Sequence, residues 1–277
     1  MRNLYILFFL LSFVQQTHAQ RITAQYNNVS FSEALKDLNA LQDKYTINFV
    51  YDELEDFKVS KSIENMSVPD AVMYLIGFYP IKMTQVEDNI MVECTQKSST
   101  KMIGRVVDIK NNPIELANVA LLNVRDSSLI NGGVTNEDGQ FVIPCKTQKT
   151  IVRVSCVGYQ TTFQTYSTGV IGAIMLHEST INLKGVKVNA MRQNIKMDRE
   201  GMVVEIEHSD ISRIGTATDV LREIPRVDVS SDGSVRVFAK GTPLIYINNR
   251  QVRDINELHQ LKSDNIKSIE IITAPGA

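Results

Sequence analysis

The sequence predicts a multidomain protein of mixed class, in which two α+β segments flank one all-β segment. Near the start, the pattern Ser-apolar-x-acid-Ala-apolar-x-x-Leu occurs twice, at residues 30–38 and 67–75, and each copy fits the first turns of an amphipathic helix. From residue 102 to residue 176 the pattern changes to short β-type runs separated by Asn-Gly and Asp-Gly turns. After residue 198, helical and strand patterns alternate again. The 277 residues leave room for two or three domains.

Residues 1–19 have the layout of a secretory signal peptide. Arg2 is followed by an apolar run over residues 4–14, broken only by Ser12, and by small residues at positions 17 and 19. Cleavage is expected after Ala19. A retained membrane anchor is the weaker interpretation, because a helix that crosses the hydrocarbon core needs ~20 apolar residues. The mature chain is therefore expected to be exported.

Composition and motifs argue against several classes of function. The net charge of −2 gives no basic excess for nucleic acid, and no second long apolar segment follows the leader. Cys94, Cys145 and Cys156 match no metal-ligand spacing and are expected to be small buried thiols. The sequence has no phosphate-binding glycine loop, nucleophile elbow or metal-binding helix motif. We therefore predict a non-enzyme with no catalytic residue, no metal ligand, no cofactor-binding residue and no cofactor.

Residues 20–95 form the first predicted domain, a small α+β module built as a βαβ repeat. Ser30 and Ser67 are predicted N-caps, each with an acid three residues later, and Gly77 and Pro80 end the second helix. These features resemble the secretin and TonB short N-terminal domain, called STN. The resemblance implies a periplasmic module that contacts a regulator, with the helical face around residues 38–44 as the docking surface. The predicted strands cover residues 22–26, 47–51, 81–86 and 90–93.

After a polar linker at residues 96–101, residues 102–180 are predicted to form a β-sandwich. The turn signals include residues 131–133 (Asn-Gly-Gly) and 136–139 (Asn-Glu-Asp-Gly). Glu137 and Asp138 could be read as calcium ligands, but a turn with Gly139 at positive φ is favoured. The segment resembles the carboxypeptidase-regulatory-like domain, a transthyretin-type sandwich. The residues that carry this resemblance are Ile103, Gly104, Val106, Pro113, Ile114, residues 117–119, Thr135, residues 138–141 and residues 157–159.

Residues 181–197 are predicted to be a connecting strand and linker, and residues 198–277 a partial α+β domain. This last part resembles the start of the plug of TonB-dependent receptors. Two departures stand out: Arg226 replaces the usual glycine, and Asn248-Asn249 replaces Asp-Gly in a turn that Asn can still form. The matching motifs are residues 219–227, 245–250 and 266–277.

Taken together, the chain resembles the N-terminal part of a TonB-dependent outer-membrane receptor for nutrient uptake. The resemblance implies a periplasmic location at the outer membrane, with TonB and an inner-membrane anti-sigma regulator as partners. No transmembrane barrel is expected within this chain, so a fragment of a longer receptor, an interrupted gene and a barrel-less protein are all open; a fragment is favoured, with a barrel domain as a further partner. The alternatives are a stand-alone periplasmic adaptor and a regulatory subunit of a peptidase. The transported substrate is not predicted.

Overall fold

The computed structural model describes residues 21–95, 98–179, 195–197, 201–230 and 232–272. These residues form a β-rich chain, in which we name residues 21–95 the N-terminal module, residues 98–179 the β-sandwich and residues 195–272 the C-terminal module. Within the described residues, every helix is too short or too polar to cross a membrane. The predicted signal peptide and the predicted connecting strand at 183–188 lie outside the described residues.

The N-terminal module packs its two longer helices against a three-stranded sheet of order β3-β7-β6. Both predicted helix starts are confirmed, since Ser30 Oγ accepts from the Glu33 N–H and Ser67 Oγ from the Asp70 N–H. The strand predicted at residues 47–51 is confirmed, but its predicted end is wrong: the strand ends at Phe49 and Tyr51 begins a short helix, favoured by Asp52 and Glu53 in its first turn. The elements are β1 (Arg21–Gln25), β2 (Val29–Ser30), α1 (Phe31–Ala40), β3 (Thr46–Phe49), α2 (Tyr51–Leu54), β4 (Lys58–Val59), β5 (Ser62–Ser67), α3 (Val68–Ile76), β6 (Ile81–Val86) and β7 (Asn89–Cys94).

The β-sandwich has one sheet of order β10-β9-β12-β13 and a second of order β11-β8-β14. Alternate residues of both sheets, such as Val119, Phe141 and Val152, fill the space between them. The predicted turn at Asp138-Gly139 is confirmed, with Gly139 at φ +71°. The turn predicted at residues 131–133 is wrong, because these residues lie inside β10. The strands are β8 (Lys101–Val107), β9 (Asn118–Leu122), β10 (Leu129–Val134), β11 (Gln140–Pro144), β12 (Lys149–Ser155), β13 (Thr162–Ser167) and β14 (Val170–Met175).

The C-terminal module surrounds helix α4 with small sheets. Thr216 and Asp219 form a capping box at the start of α4. Asn248 and Asn249 have φ values of +48° and +64°, so asparagine does support the predicted turn. The elements are β15 (Ile195–Met197), β16 (Gly201–Glu205), α4 (Ala217–Glu223), β17 (Val227–Val229), β18 (Val235–Val237), β19 (Tyr246–Ile247), β20 (Arg250–Gln251), α5 (Asn256–Gln260) and β21 (Ser268–Ile272), with 3₁₀ turns at Asp210–Arg213 and Ser263–Asn265.

Candidate functional sites at the two module junctions

The first junction joins the N-terminal module to the sandwich through the turn at residues 136–139. The Asn136 amide nitrogen donates to the Lys58 carbonyl at 3.1 Å and to the Tyr79 hydroxyl oxygen at 3.0 Å. Its amide oxygen accepts from the N–H groups of Asp138 and Gln140, at 3.1 and 2.8 Å. One side chain therefore fixes the shape of the turn and also attaches it to the neighbouring module.

Both carboxylates of this turn have partners in the N-terminal module. The Ser60 hydroxyl donates to Asp138, and Lys61 Nζ lies 3.5 Å from a Glu137 carboxylate oxygen. In the part of the chain that the structure describes, no cluster of three or more acidic, His or Cys side chains could hold a metal ion. The structure thus shows both side chains in contacts between the two modules.

The first junction also has an apolar part. Val142 of β11 belongs to the buried core of the N-terminal module, beside residues such as Val59 and Ile76. Burial raises the pKa of Tyr79, which stays a neutral phenol and donates to the Lys58 carbonyl at 2.6 Å. A cavity of about 20 Å³ beside this tyrosine has room for roughly one water molecule.

The second junction joins the sandwich to the C-terminal module and is centred on Asn118. Its amide nitrogen donates to the Ile224 carbonyl at 3.0 Å, and its amide oxygen accepts from the Arg226 N–H at 2.8 Å. Arg226 has a φ of +72°, in the left-handed region that a glycine would occupy without strain. Burial lowers the pKa of the Arg226 guanidinium. The Asn118 clamp therefore holds an unfavourable backbone conformation in place.

A buried ion pair and an aromatic ring complete the second junction. Arg153 of β12 pairs with Asp228 of β17, whose side chain is only 2% exposed. The ring of Phe238 lies over Gly132, where a Cβ atom would come within 2.3 Å of two ring carbons. Gly132 is therefore required by close approach of the C-terminal module. The Asn-Gly-Gly segment itself is strand because it pairs with residues 119–121 of β9.

Phe78 of the N-terminal module brings the two junctions together. It packs against the core of the C-terminal module and also against the cluster that surrounds Phe238 on the sandwich. That cluster contains Leu116, Ala120, Leu122 and Val134. All three modules therefore share apolar contact at one place.

The site expectations from sequence have mixed outcomes. Leu38 is fully buried, so it cannot belong to the predicted docking surface, because the apolar stripe of α1 faces the core. Leu41, Asp43 and Lys44 at the other end of that surface are exposed. Cys94 and Cys145 are buried, and Cys156 is half-buried with a pKa raised by burial to about 12. The sequence analysis did not identify Asn118, Asn136, Arg153 and Asp228 as residues that join the modules. Two sequence features could have pointed to the second junction: the Asn-Gly-Gly pattern at residues 131–133, and Arg226 at a position where glycine was expected.

Comparison with known proteins identifies one part of the chain. Residues 102–188 match the family model of the CarboxypepD_reg-like domain. The match covers 87 of the 277 residues, so it identifies a domain rather than the whole protein. The chain therefore contains a carboxypeptidase-regulatory-like domain, in agreement with the predicted resemblance. No curated protein sequence matches the chain.

Several solved structures show limited similarity. A type II cohesin–X-dockerin complex from Acetivibrio cellulolyticus is 15% identical, with a TM-score of 0.23 over 32% of this chain and 64% of that one. The phospholipase PlaB from Legionella pneumophila is 13% identical, with a TM-score of 0.24 over 45% and 38%. A 9R-lipoxygenase from Cyanothece is 9% identical, with a TM-score of 0.22 over 51% and 24%. The chain spans less than two thirds of each of these proteins, and scores this low support no statement about function.

Proposed function

We propose that this chain is the exported, non-catalytic front end of a TonB-dependent outer-membrane receptor for nutrient uptake. In this assignment the N-terminal module is the signalling domain, the sandwich is the carboxypeptidase-regulatory-like domain and the C-terminal module is the first part of the plug. A carboxypeptidase-regulatory-like domain fits a general interaction or regulatory role. The observation that carries the finer assignment is the position of the matched sandwich between two α+β modules, in the order of the receptor resemblance.

The two junctions support a mechanical role within such a receptor. The first junction uses part-buried hydrogen bonds, the second uses an ion pair with a buried carboxylate, and Phe78 contacts both neighbouring modules. Modules held in this way move as one body, so a partner that binds the N-terminal module also constrains the C-terminal module. The partners implied are the periplasmic part of an inner-membrane anti-sigma regulator, TonB, and a barrel domain of the same receptor.

Two measurements on cells test the location and the context. We expect the N-terminal sequence of the mature protein to begin at Gln20, and the protein to fractionate with the cell envelope. We also expect the reading frame to continue past codon 277 into segments of alternating polar and apolar residues. A stop codon at this point, together with a soluble periplasmic protein, would favour the second candidate.

A binding measurement tests the signalling role of the N-terminal module. The secreted chain is titrated with the purified periplasmic domain of an inner-membrane anti-sigma regulator from the same genome. Lys44→Glu, on the exposed end of the predicted surface, should weaken binding, because reversal of a charge at an interface places like or unpaired charges together. Lys110→Glu, an exposed lysine of the sandwich, is the matched control and should leave the affinity unchanged.

The second candidate is a stand-alone periplasmic adaptor that binds protein or peptide through a sheet edge. It is favoured by β13, the last strand of its sheet, which has an exposed Phe163. A third hypothesis is that the chain is a regulatory subunit of a peptidase. It requires that the chain co-purify with a hydrolase. Recovery of the chain alone from envelope extracts would remove that hypothesis.

A further inference from the structure

The sandwich has four sheet edges, and three of them are protected. Edge β10 carries a register shift at Ile130 and lies under Phe238. Edge β11 ends in Pro144 and buries Val142 in the N-terminal module. Edge β14 has a register shift next to Gly172. Bulges, prolines and covering elements are the usual devices that prevent sheets from pairing edge to edge.

Edge β13 has none of these devices. It pairs with β12 over six consecutive residues without a shift, and among the described residues no strand lies on its other side. Its sequence, Thr-Phe-Gln-Thr-Tyr-Ser, has no charge, no proline and no glycine. Strands of this composition pair readily with other strands. Phe163 is 60% exposed, so this edge also presents a large apolar side chain to solvent.

The hydrogen-bond alternation identifies the groups that face outward. The Thr168 N–H donates to the Gln148 carbonyl, so this pair is of the hydrogen-bonded type. Alternation along β13 then directs the backbone groups of Thr162, Gln164 and Tyr166 to β12. The N–H and C=O groups of Phe163, Thr165 and Ser167 therefore lie on the open side.

We propose that β13 is a self-association edge, through which two copies of this chain pair antiparallel about a two-fold axis at Thr165. In this register Thr165 lies opposite Thr165 of the second copy, and Phe163 lies opposite Ser167 of the second copy. The backbone N–H and C=O groups of all three outward-facing residues are then hydrogen-bonded. On the other face, Gln164 lies opposite Tyr166, and these side chains already hydrogen-bond to each other within one chain. The strand has no charged side chain, so pairing with a second copy about a two-fold axis introduces no like-charge repulsion.

The expected association is weak and concentration-dependent. Pairing of one strand per chain buries less than about 1,200 Å², the range of transient complexes. We therefore expect a dissociation constant on the order of 100 μM. The inference does not depend on the receptor assignment, because it rests on the edge alone.

Sedimentation velocity of the secreted chain tests the proposal. The wild type should shift from monomer to dimer as its concentration is raised through ~10 to ~500 μM. Phe163→Lys should remain monomeric over the same range, because pairing would then bring one positive charge from each copy into the interface between the two edge strands. Val170→Lys changes the charge equally at a site that is 80% exposed on the bulged edge, and should dimerise like the wild type. A wild type that stays monomeric, or a Phe163→Lys variant that still dimerises, overturns the proposal.

Disulfide cross-linking tests the register. Opposite residues of a hydrogen-bonded pair have Cα atoms about 5.5 Å apart, within the range that a disulfide can bridge. Thr165→Cys should therefore cross-link to its own copy under mild oxidation, above the level of the wild type with its native thiols. Phe163→Cys is equally accessible but would lie roughly 13 Å from its copy, so it should not cross-link. Equal cross-linking at both positions would rule out this register.

Discussion

The two junctions of this chain hold their modules by different physical means. The first relies on hydrogen bonds made by Asn136 and its neighbours in the turn at residues 136–139. These bonds are only partly shielded from solvent. The second relies on an ion pair with a buried carboxylate and on an aromatic ring packed directly over Gly132. A hydrogen bond that is lost at a partly exposed site is replaced by water, whereas an unpaired buried charge is not. The second junction should therefore be the more sensitive of the two to single changes.

The largest effect is expected when the ion pair of the second junction is broken. Arg153→Met leaves the Asp228 carboxylate buried without its cation, because that side chain is 2% exposed. Loss of one member of a buried pair costs about 3 to 5 kcal/mol. We expect a decrease of this size in the free energy of unfolding, measured by urea denaturation. Arg153→Met combined with Asp228→Leu should recover most of the loss; if the double variant is as unstable as the single one, the charge is not the cause.

Gly132→Ala should have the next largest effect, because the space between Gly132 and the ring of Phe238 has no room for a methyl group. The added methyl would lie within 2.3 Å of the ring, so the ring and its module must shift. Overpacking of this kind costs about 1 to 3 kcal/mol. Hydrogen exchange should increase at amides of the C-terminal module that pack on β10. In a Phe238→Ala background the same substitution should cost little, and an unchanged cost there would place the clash elsewhere.

The features that sequence predicted correctly are those with local causes. Ser30 caps a helix through the residue three positions later, and Gly139 and Asn248 form turns with their immediate neighbours. The sandwich could be predicted for the same reason, since the turn residues and the strands with alternating polarity all lie within a segment of about eighty residues.

The features that sequence missed depend on residues far apart in the chain. Gly132 accommodates the ring of Phe238 rather than a turn, and Arg226 keeps a left-handed backbone because Asn118 binds its N–H across a separation of 108 residues. Leu38 is buried, together with Ala34 and Leu35 on the same face of α1, in the core of the N-terminal module. A junction is formed by residues that no local pattern relates, so its members could not be selected before the fold was known.

A smaller effect is expected at the first junction. Asn136→Ala removes the bonds to the Lys58 carbonyl and the Tyr79 hydroxyl, and also two bonds within the turn. Because water can reach part of this surface, we expect a loss of about 1 to 2 kcal/mol in the free energy of unfolding. Asn112→Ala, in an exposed turn away from both junctions, should cost less. If Asn136→Ala proves as costly as Arg153→Met, the two junctions are equally sensitive and the contrast between them fails.

The smallest effect should be a gain in stability, from Arg226→Gly at the second junction. Glycine adopts the φ of +72° without the steric cost of a Cβ atom, although it also increases the entropy of the unfolded chain. We expect the difference to raise the free energy of unfolding by about 0.5 to 1 kcal/mol. Arg226→Ala separates the two possible causes, because it removes the partly buried guanidinium but keeps Cβ. A gain with glycine alone assigns the strain to the backbone that Asn118 clamps, whereas an equal gain with alanine assigns it to burial of the charge.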